Sequence, residues 1–278
     1  MNLSVASGKG GTGKTSVALS LALSLDNVQI LDCDVEEPNA CIFLKPQIEN
    51  KIDISVPIPE IDKEKCNFCG RCKELCVYNA LAVLSKTVLV FPELCHSCGV
   101  CVHFCPQNAI HETGKLIGSI EFGRKDKLKF VQGTLNIGQS MAPPLIREVK
   151  KYLDSDRINI IDVPAGTSCP VVESVKGSDF CILVTEPTPF GLNDLILAVD
   201  LLRIIKIPFG VIVNRCDIGD DMTIQYCRQQ NIPVLLSIPF KKEIASAYSE
   251  GVALVDAFRE YKAEFIKVYT NIESILKK

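Results

Sequence analysis

Residues 8–15 read Gly8, Lys9, Gly10, Gly11, Thr12, Gly13, Lys14, Thr15. An apolar stretch (residues 2–6) leads into this loop, and helix-forming residues follow it, with Val17, Ala18, Leu21, Ala22 and Leu25 at helical spacing. A strand running through a glycine-rich loop into a helix leaves the chain few options. Glycine N–H groups curl round an anion, the helix N-terminus adds its positive end, and the next strand returns parallel to the first. Residues 28–31 supply that strand, which ends in Asp32, Cys33 and Asp34. The pattern predicts a parallel α/β sheet with a phosphate-binding loop at the C-terminal ends of its strands. Lys14 is expected at the β- and γ-phosphates of a nucleotide and Thr15 at Mg²⁺.

The second constraint is a repeated cysteine run. Cys66, Cys69, Cys72 and Cys76 are separated by two, two and three residues; Cys95, Cys98, Cys101 and Cys105 repeat that spacing, and both runs continue into an Asn-Ala pair (Asn79-Ala80 and Asn108-Ala109). Such a run wraps three thiolates round one face of an iron–sulfur cubane and sends the fourth to the neighbouring cluster. One [4Fe–4S] cluster is therefore assigned to Cys66, Cys69, Cys72 and Cys105, and a second to Cys76, Cys95, Cys98 and Cys101. A zinc site would use paired Cys-x-x-Cys units round one ion, and the third closely spaced cysteine of each run argues against it. Pro106 follows Cys105 as in bacterial ferredoxins, whereas Val77 follows Cys76, which loosens that turn without removing a ligand. His96, His103 and His111 are expected to be exposed, because four thiolates complete each cluster. Cys33, Cys41, Cys181, Cys216 and Cys227 read as small buried hydrophobes.

The 278 residues can hold one large domain and a small one, and the 47% hydrophobic content is ample for a core. A net charge of −3 without a long basic run gives no electrostatic case for a nucleic-acid partner. The opening segment lacks the pattern of a signal peptide, and apolar runs such as 180–184 and 211–213 are too short to span a bilayer, so the chain reads as cytoplasmic. There thiols stay reduced and patterned cysteines bind metal. Pro57 and Pro59 mark a boundary. Residues 60–113 read as an inserted, small, bacterial-ferredoxin-like α+β domain with a hairpin of 80–84 and 87–91; residues 1–59 and 114–278 read as one discontinuous P-loop domain. Further strands are expected at 159–162, 180–185, 209–214 and 234–238, with helices at about 144–153, 192–205 and 222–230. A closing amphipathic helix, 261–277, carries Phe265, Val268, Tyr269, Ile272 and Leu276 on one face. The expected class is α/β: a mostly parallel P-loop NTPase sheet with helices on both faces.

With Lys9 in place, the loop resembles the deviant Walker A motif of the MinD/ParA/Mrp superfamily, which includes the nitrogenase iron protein. The chain as a whole resembles MinD-superfamily ATPases that carry an inserted ferredoxin domain. The resemblance implies a catalytic set of Lys9, Lys14 and Asp34. Lys9 would reach across a nucleotide-dependent homodimer, and Asp34, in the first switch with Asn39 five residues on, would orient the attacking water. It also implies that Asp32 supports the magnesium shell, that Asp162 holds Mg²⁺ through water, and that Gly166 lies at the γ-phosphate. Asn214 would meet the adenine edge and Pro239 would flank the base, although Lys241 and Lys242 stand where the family often has an acidic residue. Read from the residues alone, Lys9 also fits a solvated loop lysine, Asp32 and Asp34 turn or helix-cap chemistry, and Asn214 a plain loop position. Cys169 sits at an offset from Asp162 similar to that of a cluster ligand in the iron protein. With no second cysteine to complete four ligands from two subunits, it reads as structural or redox-sensitive, the alternative being a bridging ligand.

These features imply a protein that binds ATP or ADP with Mg²⁺ and holds two [4Fe–4S] clusters. It would hydrolyse ATP slowly, because no arginine finger stands in an obvious position, and pass electrons to a partner redox protein. Two other readings use the same motifs. One is an Mrp-type iron–sulfur carrier or assembly ATPase, against which two self-contained cluster sites speak. The other is a MinD- or ParA-like spatial organiser, which needs a membrane helix or a DNA-binding surface. Membrane association is not expected, because the apolar face of the C-terminal helix more simply packs on the sheet.

Overall fold

A computed structural model describes residues 1–277. Strand β1 (Asn2–Ser7) leads through the glycine loop into α1 (Lys14–Ser24), and β2 (Val28–Asp32) is followed by the short α2 (Ala40–Leu44). A long strand, β3 (Gln47–Ile61), precedes the cysteine segment, which contains α3 (Arg71–Leu75), β4 (Leu81–Leu84), β5 (Thr87–Val90) and α4 (Val100–His103). The chain returns through β6 (Ile110–Lys125), β7 (Leu128–Leu135) and α5 (Pro143–Lys150). It continues through β8 (Ile158–Ala165), α6 (Cys169–Val175), β9 (Phe180–Thr185), α7 (Pro189–Ile204), β10 (Phe209–Asn214), α8 (Met222–Gln229) and β11 (Val234–Ile238). Helices α9 (Lys242–Ser249), α10 (Leu254–Ala257) and α11 (Glu260–Leu276) close it.

Nine strands form one sheet in the order β11-β10-β9-β1-β8-β2-β7-β6-β3. From β11 to β7 every pairing is parallel; β6 pairs antiparallel with both β7 and β3. The inner parallel strands β1, β2, β8, β9 and β10 are buried on both faces, and β9 and β10 read as nearly unbroken apolar runs, whereas β11 at the edge is mostly exposed or half-buried. Alternate residues serve opposite layers. Ile30, Ile160, Ile182 and Ile212 pack under α1 and α11. Leu31, Ile161, Leu183 and Val213 pack under α5, α6 and α7. Tyr261, Phe265, Val268 and Ile272 of α11 are all buried in the first layer, so its apolar face is spent on the core, while Leu276 remains partly exposed. Burying a side chain such as Phe265 contributes about 2–3 kcal/mol. Among the described residues no helix is long and apolar enough to cross a membrane.

Three strands were not expected from the sequence: β3, β6 and β7. Pro57 and Pro59, read above as a boundary, lie inside β3 and pair with Gly114 and Glu112. A proline is tolerated there because β3 is the edge strand, with no ladder on its outer side to lose. β3 and β6 together make a two-stranded ribbon. Its base, at Gly118–Lys125, joins β7, and its free end closes at Ile61 opposite Ile110. The cysteine segment sits on that free end.

Candidate functional site

The glycine loop connects β1 to α1 at the edge of the sheet where the parallel strands end. Gly13 is the residue before α1, with φ of 94°, and an added Cβ there would stand 2.5 Å from the Asn214 amide nitrogen. At Gly8 a Cβ would collide with the Asp194 carbonyl of α7, so this glycine lets the start of the loop pack against that helix. Gly10 and Gly11 face open space. A cavity of about 550 Å³ opens beside the loop, lined among others by Lys14, Thr15, Asp34, Asn214, Pro239 and Tyr248. Asn214 donates its side-chain amide to the Thr12 carbonyl at 2.8 Å and accepts from the Arg215 N–H at 3.0 Å, so it clamps the loop.

Three aspartates meet behind Lys14. Asp32 ends β2 and lies in register with Asp162 of β8, and both are fully buried. The Lys14 ammonium sits 2.9 Å from Asp34 and 3.8 Å from Asp162. Burial works to lower the Lys14 pKa, but Asp162 and Asp34 outweigh it and hold the pKa above its ordinary value. Asp32 spends both oxygens on backbone: one accepts the Asp34 N–H, the other the N–H groups of Asn39 and Ala40. It therefore holds the 34–40 segment and the start of α2 in place, with its carboxyl pushed well up by burial and by Asp162. Burial raises the Asp162 pKa to about 6, against the pull of Lys14.

Neither Asp162 oxygen accepts a hydrogen bond, and the Thr12 hydroxyl is likewise buried without a partner. Buried polar atoms without partners are uncommon and call for an ion, water or ligand. These atoms, the adjacent ammonium and the unfilled space at Gly10 and Gly11 fit a magnesium-bound nucleotide. Gly166, with φ of 100°, is tied to β1 by its N–H to Ser7 at 2.9 Å; its neighbours Pro164 and Ala165 line the cavity.

Lys9 turns away from this cavity. Its ammonium lies 3.6 Å from Glu186, and the other oxygen of that carboxylate accepts from Arg215 at 2.7 Å. Glu186 is buried and follows the last residue of β9. Sequence reasoning passed over it, although a charged residue directly after an apolar strand, at the same edge as the loop, was the available signal.

The structure sorts the eight patterned cysteines into two groups. Cys66, Cys69, Cys72 and Cys105 line one small cavity, and Cys76, Cys95, Cys98 and Cys101 line another. Burial raises the Cys72 thiol first, and Cys66 and Cys69 add to it; burial likewise takes Cys101 up to about 11, with Cys95 and Cys98 adding. Backbone N–H groups point at sulfur: Phe68 to Cys66, Ala80 to Cys76 and Ala109 to Cys105, at 3.3–3.4 Å. The duplication is also conformational. Phe68 and Ser97, Gly70 and Gly99, and Asn79 and Asn108, each pair 29 residues apart, all have positive φ. Among the described residues no three His, Cys, Asp or Glu side chains converge as a single-ion site. His96 and His103 are exposed, and His111 lies 3.3 Å from Glu60. Cys169 is exposed at the start of α6, outside both groups. Cys33, Cys181 and Cys227 are buried, as expected, whereas Cys41 and Cys216 are half-buried.

The protein MJ0579 of Methanocaldococcus jannaschii, itself uncharacterised, is 31% identical over 90% of each chain. Shorter matches join the chain to two named proteins. Coenzyme F420-dependent sulfite reductase of the same organism is 38% identical over 18% of this chain and 8% of its own. The iron–sulfur cluster carrier protein of Rickettsia bellii is 27% identical over 38% of this chain and 35% of its own. Among solved structures, the septum site-determining protein MinD of Pyrococcus horikoshii, complexed with Mg-ADP, superposes with a TM-score of 0.60 at 19% identity, covering 99% of this chain and 96% of that one. Residues 3–255 match the family model of the CobQ/CobB/MinD/ParA nucleotide binding domain. The chain is a member of the CobQ/CobB/MinD/ParA nucleotide-binding family.

Proposed function

We propose that this protein is an ATPase that couples its nucleotide state to electron transfer through two [4Fe–4S] clusters, delivering electrons to a partner redox protein. The observation that carries the coupling is a short run of contacts between the two sites. The Leu135 N–H donates to the carbonyl of Val35, the residue after Asp34, at 2.8 Å. Five residues on, the Ser140 hydroxyl donates to the Glu93 carbonyl at 2.9 Å, two residues before Cys95. Movement of the Asp34 segment would reach the cysteine segment through this loop and through the ribbon beside it.

In this reading residues 60–113 form a ferredoxin-like insert and the remainder is the nucleotide domain. Lys14 and the loop amides hold the phosphates; Asp162 and Thr15 hold Mg²⁺, which when bound neutralises phosphate charge. Asp34, 2.9 Å from the Lys14 ammonium, would orient a water at the γ-phosphate. Lys9, paired with Glu186 in the single chain, is the residue that would change partner in a nucleotide-dependent homodimer. The two thiol groups fit clusters by donor chemistry: each is four cysteines round a void, with backbone N–H groups already aimed at sulfur. Each cluster would store one electron.

The match to an iron–sulfur cluster carrier favours a second reading, in which clusters are delivered rather than retained. Transfer of iron to an apo-acceptor, measured against a simple ferredoxin, separates the two. An organiser at a membrane is less well supported, because the apolar face of α11 is used inside the core.

The test is an anaerobic, EPR-monitored redox titration without nucleotide, with MgADP and with a non-hydrolysable MgATP analogue. A reproducible shift in potential between nucleotide states is expected. Identical potentials in all three would remove the energetic coupling and leave ATP to control docking alone.

A further inference from the structure

The two cysteine groups are repeats, yet they are not lined alike. At the position two residues after the first cysteine, with φ of 58° and 55°, one carries Phe68 and the other Ser97. Phe68 lines the cavity of Cys66, Cys69, Cys72 and Cys105 together with Ile61, Val83, Val88 and Ile110. Ser97 lines the cavity of Cys76, Cys95, Cys98 and Cys101, and its hydroxyl is buried without a hydrogen-bond partner. A buried hydroxyl with no acceptor is destabilising. The missing partner is accounted for if the hydroxyl donates into the cavity it lines.

Two more features separate the groups. The Ser97 cavity abuts Pro57 and Pro59, further down the ribbon toward the sheet, whereas the Phe68 cavity abuts Ile61 and Ile110 at its free end. The Ser97 cavity is also flanked by the rings of Tyr78 and His96, stacked at 3.7 Å. Lys115 is paired with the Glu93 carboxylate at 3.4 Å, so its charge is largely offset and does not separate the groups. Glu112 lines the same cavity, but it is exposed and screened by water.

Reducing an iron–sulfur cluster adds negative charge. Hydrogen bonds to sulfur favour the reduced form, while an apolar lining disfavours it. Backbone N–H groups give the Phe68 group two such bonds, from Phe68 and Ala109, and the Ser97 group one, from Ala80; the Ser97 hydroxyl evens that count, and the apolar lining round Phe68 is left to separate the two. Building on the function proposed above, we infer that the two clusters differ in potential. The one held by Cys76, Cys95, Cys98 and Cys101 is the higher, with Ser97 in place of Phe68 as the difference that sets it apart. The first electron added then resides at the end of the segment next to the nucleotide domain, and the second at the tip.

The test is an EPR-monitored titration with dithionite as the one-electron source, on the full chain with iron counted in every sample. Two waves are expected in the parent protein. Ser97→Ala should move the higher wave to more negative potential and leave the lower in place, and Phe68→Ser should move the lower wave upward and narrow the gap. Ser97→Gly, which removes the hydroxyl and relieves the positive φ, serves if Ser97→Ala loses iron. Two clusters of equal potential, or a higher wave unmoved by the Ser97 variants at full iron content, overturn the inference alone. A parent protein that binds no iron overturns the cluster reading and the inference with it.

Discussion

The nucleotide region and the cysteine segment are built by opposite means. Lys14, Asp34, Asp162, Glu186 and Asn214 come from five places along the chain, and a core buried on both faces of the sheet brings them together. Both cysteine cavities come from one stretch, 66–105. Between residues 62 and 109 only Ala80, Leu81, Cys95 and Ala109 are buried, while Val77, Leu84, Leu94 and Phe104 stay exposed. So little apolar burial does not hold a segment of that size. The first region is held by packing and can wait for its ligand; in the proposed reading the second would need its clusters as part of its structure.

The largest test of that contrast is removal of iron. Chelation under reducing conditions should raise proteolytic cleavage within 62–109 by on the order of a hundredfold, because local unfolding there no longer breaks metal–thiolate bonds. The nucleotide domain should keep its thermal transition and its MgATP binding. If both regions unfold together, the contrast is wrong and the ribbon carries stability as well as contact.

Next in size is Lys14→Ala. Loss of the ammonium proposed to meet the phosphates should lower ATP hydrolysis by about 10²–10³-fold. Iron content, measured on the same sample, should not change. A parallel loss of iron would mean that the glycine loop helps hold the cysteine segment.

Asp162→Asn should separate function from stability inside the packed region. Asp162 rises from an ordinary 3.8 to about 6 when folded, so the folded state binds that proton more tightly than the unfolded one. Stability from this group is therefore full below pH 3.8 and falls by up to about 3 kcal/mol as pH rises through 6. The asparagine variant avoids that loss. In urea unfolding of the nucleotide-free protein it should be the more stable at pH 8, with the difference shrinking as pH falls through 6, and it should lose stabilisation by MgATP. A variant less stable at pH 8 would show that the attraction between Asp162 and Lys14 outweighs burial.

The smallest expected effect is that of Cys169→Ser. The thiol is exposed and outside both cavities, so iron content should stay as in the parent protein. Loss of iron on this substitution would make Cys169 a ligand shared between two chains and join the two regions across a dimer.

Local chemistry made much of this legible in the sequence. A loop bonds phosphate through its own amides, so Gly8 to Thr15 announced both strand β1 and helix α1. Cysteine spacing along the chain sorted the cysteines into the same two groups that line the two cavities. Doubly buried strands such as β9 and β10 stood out as apolar runs, and the 3.6-residue period of α11 marked the face that the core buries. What only the tertiary structure decided rests on partners far away in sequence. β3 is an edge strand with two prolines, and its pairing with β6 spans the whole cysteine segment, so no local pattern revealed the ribbon. Asp32 became the brace of the 34–40 segment because its oxygens meet amides up to eight residues on. Lys9 met Glu186, and Asn214 met Thr12, only because parallel strands end side by side, an adjacency set by the order of strands in the sheet and invisible in the order of residues.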